Sequence, residues 1–202
     1  MRNLLVVCAL AVVLVAATSV MAQPQWSIGP KGGLTISSVY GDDSEGSSAK
    51  LGFAFGGFVM AALNDNFGIQ TEVSWVRKGL TVDAGLVEID WNLDYVEIPL
   101  LLVGMLPTGD LSKIMFYGGP AFAFNVGSDI EGIDAGDVTK GSDFGLAVGS
   151  GAIFDVGTVG ILIDGRVTFG LTSWADEPTT DPDIKNYAFQ FTAGVSVPLG
   201  GN

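Results

Sequence analysis

Histidine is absent from all 202 residues. That absence removes the commonest general base and both the Ser–His and Cys–His nucleophile pairs. Most zinc and iron sites go with it, because imidazole is their usual side-chain ligand. A hydrolase or acyltransferase is disfavoured, and the expectation is a protein that is no enzyme and holds no cofactor or metal. Cysteine is almost as scarce, Cys8 being the single one. Basic residues are few: Lys and Arg number 9 against 22 Asp and Glu, for a formal charge of −13. Such a chain has no basic surface for nucleic-acid phosphates. Long apolar runs are missing after Ala22, where none approaches the ~20 residues that a membrane helix needs.

The start of the chain has the pattern of a secretory leader. Met1-Arg2-Asn3 is short and positive, Leu4 to Ala17 is apolar, and Val20-Met21-Ala22 offers small residues for cleavage. Residues 1–22 are therefore expected to be a cleaved signal peptide, leaving 23–202 as a single domain. A membrane anchor is the alternative, but the apolar core is short and no positive stop follows it. Cys8 lies in that core without the small residues that precede a lipidated cysteine. The mature chain would then contain neither disulfide nor thiol.

The whole chain is 48% hydrophobic, only 15% charged, and contains 29 glycines. Its hydrophobicity has period two. From Tyr187 to Leu199, residues Tyr187, Phe189, Phe191, Ala193, Val195, Val197 and Leu199 share one face of a strand. The other face is small and mildly polar. Seven more segments behave alike: Trp26–Ser37, Lys50–Leu63, Phe67–Val82, Leu86–Leu106, Lys113–Val126, Asp143–Val156 and Val159–Leu171. Pro30 is tolerable near a strand end or bulge, and Pro99 implies a bulge.

Short connections at Asn64-Asp65-Asn66, Pro107–Ser112 and Gly157-Thr158 alternate with longer polar stretches at Ser38–Ala49, Gly127–Ser142 and Thr172–Asn186. The turn near Asp83-Ala84-Gly85 is the exception, tight but flanked by overlong strands. Alternation of this kind is how membrane barrels are built, with short turns and both termini on the periplasmic side. The expected fold is all-β: an eight-stranded antiparallel up-and-down transmembrane β-barrel, with lipid outside and a polar lumen. Trp26, Phe67, Phe116 and Phe154 would mark the periplasmic rim, and Trp75, Tyr95, Phe124, Phe144 and Tyr187 the outer one. The rival is a soluble lipocalin-like barrel with its apolar face turned inward around an apolar ligand.

Glu72, Glu97, Asp164 and Arg166 fall on the inner face. A buried charge must be paired, so a polar network around Arg166 that plugs the lumen is expected. The alternative is a narrow channel, small-ligand transporter or proton path. Gly149-Ser150-Gly151 has no helix after it and is expected to be a strand with small inward residues. The acidic loops carry Asp42, Asp43 and Glu45; Asp129, Glu131, Asp134 and Asp137; and Asp176, Glu177, Asp181 and Asp183. They are expected to be solvated and open to a surface partner; calcium is the weaker alternative, since no EF-hand-like spacing is present.

Several segments, in order, also resemble a known family. They are Gly29-Pro30-Lys31-Gly32-Gly33-Leu34-Thr35-Ile36-Ser37, Gly52-Phe53 to Phe58, Phe67-Gly68-Ile69-Gln70 with Glu72, and Lys78-Gly79. Tyr95-Val96-Glu97-Ile98-Pro99-Leu100-Leu101, Tyr117-Gly118-Gly119-Pro120, Asp143-Phe144-Gly145-Leu146 and Gly165-Arg166 to Gly170-Leu171 continue the series. Together they resemble the PorT-like outer-membrane β-barrel family, among the small barrels of OmpA/OmpX type. The resemblance implies the outer membrane of a Gram-negative-type bacterium and little about activity. It implies outer-membrane lipid and, during insertion, the barrel-assembly machinery as partners. Thr192, Gly194, Val197 and Leu199 resemble the insertion signal read by that machinery, although the final aromatic is missing. Val73-Ser74-Trp75-Val76-Arg77 also departs from the family's usual run. The expected role is structural, anchoring or surface-interacting.

Overall fold

A computed structural model describes residues 24–40, 47–83, 88–109, 112–130, 133–134, 140–172 and 185–200. The leader and most acidic loop residues lie outside the described residues. This applies to Asp42, Asp43, Glu45, Glu131, Asp137, Asp176, Glu177, Asp181 and Asp183.

Alternation becomes eight long staves. They are β1 (Gln25–Tyr40), β2 (Ser47–Ala62), β3 (Phe67–Asp83), β4 (Glu88–Gly109), β5 (Ser112–Ile130), β7 (Ser142–Val156), β8 (Val159–Gly170) and β9 (Lys185–Leu199). A two-residue strand, β6 (Ile133–Asp134), adds a short ribbon to the outer end of β5. Each stave pairs antiparallel with the next in sequence, and β1 pairs with β9 to close an eight-stranded barrel. In hydrocarbon an open sheet edge leaves backbone groups without partners, and closure removes both edges.

Local chemistry forms the turns at one end. Asn64 Oδ1 accepts the N–H groups of Asn66 and Phe67 at 2.9 and 2.8 Å, a side chain standing in for a backbone turn. Gly157 takes the left-handed φ of 67° in the tight turn before β8, a region glycine enters without steric penalty. Both described termini lie at this turn end.

Strand phase sets what faces outward. Leu51, Phe67 and Phe191 are 66%, 61% and 58% exposed, while Gln70, Glu72, Gln190 and Thr192, on the alternate phase, are buried. An apolar surface this continuous is a lipid or partner face. It is the reverse of what a soluble barrel around an apolar ligand requires.

Four expectations are corrected. Pro99 does not make a bulge: it stays in register with Ala121, and the irregularities of the β4–β5 ladder lie at Asp94/Tyr95 and Pro107/Gly109. Pro107 itself pairs with Lys113, so β4 runs on beyond Leu106. Tyr95 does not belong to the outer girdle, because it has the phase of Glu97 and Pro99 and is fully buried inside. The lumen is also not uniformly polar. Phe58, Met60, Leu101, Val103, Met105, Met115, Ile153 and Leu162 form an apolar layer within the barrel at the turn end. Val39, Leu93, Tyr95 and Ala123 form a smaller one towards the opposite end. From Leu100 to Val103 β4 is apolar on both faces, with Leu100 and Leu102 outside and Leu101 and Val103 inside, so alternation there marks no polar side.

Phe191 sits at the middle of β9. Phe191→Arg should lower the unfolding free energy in lipid vesicles by about 2–4 kcal/mol, measured by denaturant titration. Tolerance of this change would contradict a lipid-facing β9.

Candidate functional site: the ionic belt of the lumen

Eight staves make an interior that side chains can fill, and six buried charges meet at its centre. Lys31 on β1 donates to Glu72 Oε1 on β3 at 3.0 Å and to Asp164 Oδ2 on β8 at 3.1 Å. Glu72 Oε2 accepts from Arg166 Nη1 at 2.9 Å, and Arg166 Nη2 donates to Gln190 Oε1 at 2.6 Å. Gln190 Nε2 passes the chain to Glu97 Oε2 at 3.0 Å. The other oxygen of Glu97 lies 2.5 Å from Lys78 Nζ. Three cations thus face three carboxylates, and the belt is neutral as a unit.

Neutral amides and hydroxyls take up further bonds, though Arg166 Nε is left without a partner. Gln70 donates to Glu72 Oε1 at 2.8 Å. Asp164 accepts from Tyr117 Oη and Thr192 Oγ1, both at 2.8 Å. The Lys78 ammonium sits 5.2 Å above the Tyr95 ring, and Tyr95 Oη receives a long bond from Asn186. Small residues make room for this packing. Gly149 lies beneath the Tyr117 ring, where an added Cβ would come within 2.7 Å of ring atoms. The Gly149-Ser150-Gly151 run is strand, as expected, with both glycines on the inner phase.

All four inward charges expected from strand phase, Glu72, Glu97, Asp164 and Arg166, are buried in one connected network. Lys31 and Lys78 went unassigned by the sequence reading, although each has the inner phase of its strand: Lys31 with Ser27 and Thr35, Lys78 with Gln70 and Glu72. The signal was present in the alternation.

The four residues with insertion-signal spacing separate in space. Thr192 points into the lumen and binds Asp164, whereas Val197 and Leu199 face outward and Gly194 pairs with Lys31. Outside the barrel, Arg77 holds Asp94 through two bonds of 2.8 and 2.7 Å, against the rings of Phe53 and Trp75. Arg77 and Asp94, charged residues on the outer phase of β3 and β4, therefore neutralise each other. Among the described residues no group of three or more His, Cys, Asp or Glu side chains is placed to hold a metal ion.

Residues 21–176 match the family described as outer membrane protein beta-barrel domain. No curated protein matches the chain. Among solved structures, Neisserial surface protein A is similar with a TM-score of 0.57 and 14% identity, over 85% of this chain and 96% of that one. The outer membrane protein OprG from Pseudomonas aeruginosa has a TM-score of 0.56 and 13% identity, over 88% and 97%. The outer membrane protein AlkL has a TM-score of 0.53 and 13% identity, over 89% and 93%. At such identities the likeness is one of fold.

Breaking the belt at one member strands its partners. Arg166→Ala leaves Glu72 and Glu97 short of positive charge in a buried site and should destabilise the folded barrel by about 3–5 kcal/mol. The measurement is the shift in the denaturant unfolding curve in lipid vesicles. A change close to zero would mean that the belt is not coupled as described.

Proposed function

Because the chain belongs to the outer membrane protein beta-barrel domain family, and so to the outer membrane of a Gram-negative-type bacterium, we propose that it serves there as a structural, anchoring or surface-interacting barrel with a closed lumen. The observation that carries this reading is the filled interior. A neutral belt of paired charges lies between two apolar layers. Nothing in that packing favours the channel or transporter reading over closure.

A barrel closed within acts through what it presents outside. Its sides meet outer-membrane lipid through residues such as Phe53, Phe191 and Leu199. Its acidic outer connections are the surface for a partner, which at a formal charge of −13 would carry positive charge. Insertion by the barrel-assembly machinery, through Thr192, Gly194, Val197 and Leu199, belongs to the same reading. So does the finer placement among PorT-like barrels, supported by the run Tyr95 to Leu101 and its companion segments. Catalysis has no part in it, and the missing histidine supports that.

The purified protein, folded and showing heat-modifiable migration in detergent gels, should give no discrete conductance steps in planar lipid bilayers. Regular single-channel steps from the unaltered protein would replace this reading with that of a narrow channel.

A further inference from the structure

Two kinds of layer block the lumen, and they differ as barriers. The ionic belt is built from long side chains, those of Lys31, Lys78, Arg166, Glu72, Glu97 and Gln190. Each bond it makes is one that water or a passing ion could replace in kind, since a bridging water is nearly as good as a direct hydrogen bond. An apolar constriction offers nothing in exchange for a hydration shell and closes a pore by dewetting.

The apolar layer at the turn end, which is the periplasmic end, has the makings of such a constriction. Met60 lies near the end of β2, Met105 near that of β4, and Ile153 near that of β7. Met115 and Leu162 lie just inside the starts of β5 and β8. These five side chains come from five of the eight staves and belong to one packed cluster. Met105 is directly opposite Met115, and Ile153 opposite Leu162. Phe58, Leu101 and Val103 fill the space between them and the belt. The outer apolar layer is different in kind. Its largest member, Tyr95, carries a hydroxyl bonded by Asn186 and has the Lys78 ammonium on its ring, so polar atoms run through it, whereas the turn-end cluster's tyrosine, Tyr117, turns its hydroxyl to the belt at Asp164.

We propose that the permeability barrier of this barrel is the periplasmic apolar layer of Met60, Met105, Met115, Ile153 and Leu162, and that the ionic belt is not the barrier. The belt holds the staves together, and the layer beneath it keeps ions out. The inference rests on the closed-lumen reading and refines it by locating the closure.

Planar-bilayer recording of the full mature protein in concentrated potassium chloride tests it with four proteins. These are the unaltered chain, Arg166→Ala, the double variant Met105→Ser with Met115→Ser, and the milder Leu162→Ser. Each is first shown to be folded by heat-modifiable migration, and Leu162→Ser serves if the double variant does not fold. The unaltered protein and Arg166→Ala should remain silent, while the folded layer variants acquire discrete conductance from that silent baseline. Conductance in Arg166→Ala, or silence in the folded layer variants, overturns the proposal. Conductance in the unaltered protein instead overturns the closed-lumen reading, so the two failures are distinct.

Discussion

Every backbone N–H and C=O at membrane depth must find its partner within the protein, because hydrocarbon offers none. For a chain of strands that demand has one solution, and the β1–β9 ladder supplies it by joining the two ends of the sheet. The rest follows from closure. Eight staves make a narrow barrel, so inward side chains from opposite walls touch. The unbroken antiparallel order fixes which residues face in. Outward positions are then free to be apolar all round, and in the described strands they mostly are.

Contact across so narrow a lumen turns inner charges into partners. A single buried carboxylate would carry a large desolvation cost. Six charges of balanced sign, with Gln70, Gln190, Tyr117 and Thr192 adding further bonds, avoid it. The apolar layers on either side keep bulk water from screening those pairs, which strengthens each contact while raising the penalty for losing a member. Geometry and chemistry are tied together here: Tyr117 reaches Asp164 because Gly149 leaves space beneath its ring.

Much of this was legible in the sequence because a strand's period of two is a local property. Fold, strand number and the inward direction of Glu72, Glu97, Asp164 and Arg166 all came from phase. Lys31 and Lys78 were equally legible by phase but passed over, one beside Pro30 in a glycine-rich run and the other among charged neighbours near a strand's outer end. Partner choice was not legible. That Lys31 meets both Glu72 and Asp164 depends on curvature and stagger, which bring residues of β1, β3 and β8 together. The apolar layers were hidden for a related reason. Between Leu100 and Val103 both faces of β4 are apolar, so alternation there cannot tell lipid from lumen; Tyr95 shares the inward phase of Glu97, and only its aromatic character pointed to the outer rim. Proline was misjudged as well. Pro99 lacks an N–H, yet the ladder accommodates it without a shift of register.

The position of Lys31 has a consequence for how the barrel assembles. It lies on the first strand, and its two carboxylate partners lie on the third and the eighth. A sheet holding only the early strands would keep Lys31 with Glu72 and Lys78 with Glu97 but lack Arg166 and Gln190, and one holding only the late strands would present Asp164 without Lys31. Each half balances in charge, yet neither has its full set of bonds. The contacts that cross between them, Lys31 to Asp164, Arg166 to Glu72 and Gln190 to Glu97, form only when the two halves close on each other. The belt makes closure cooperative, so that the chain's most distant segments fold as a single unit.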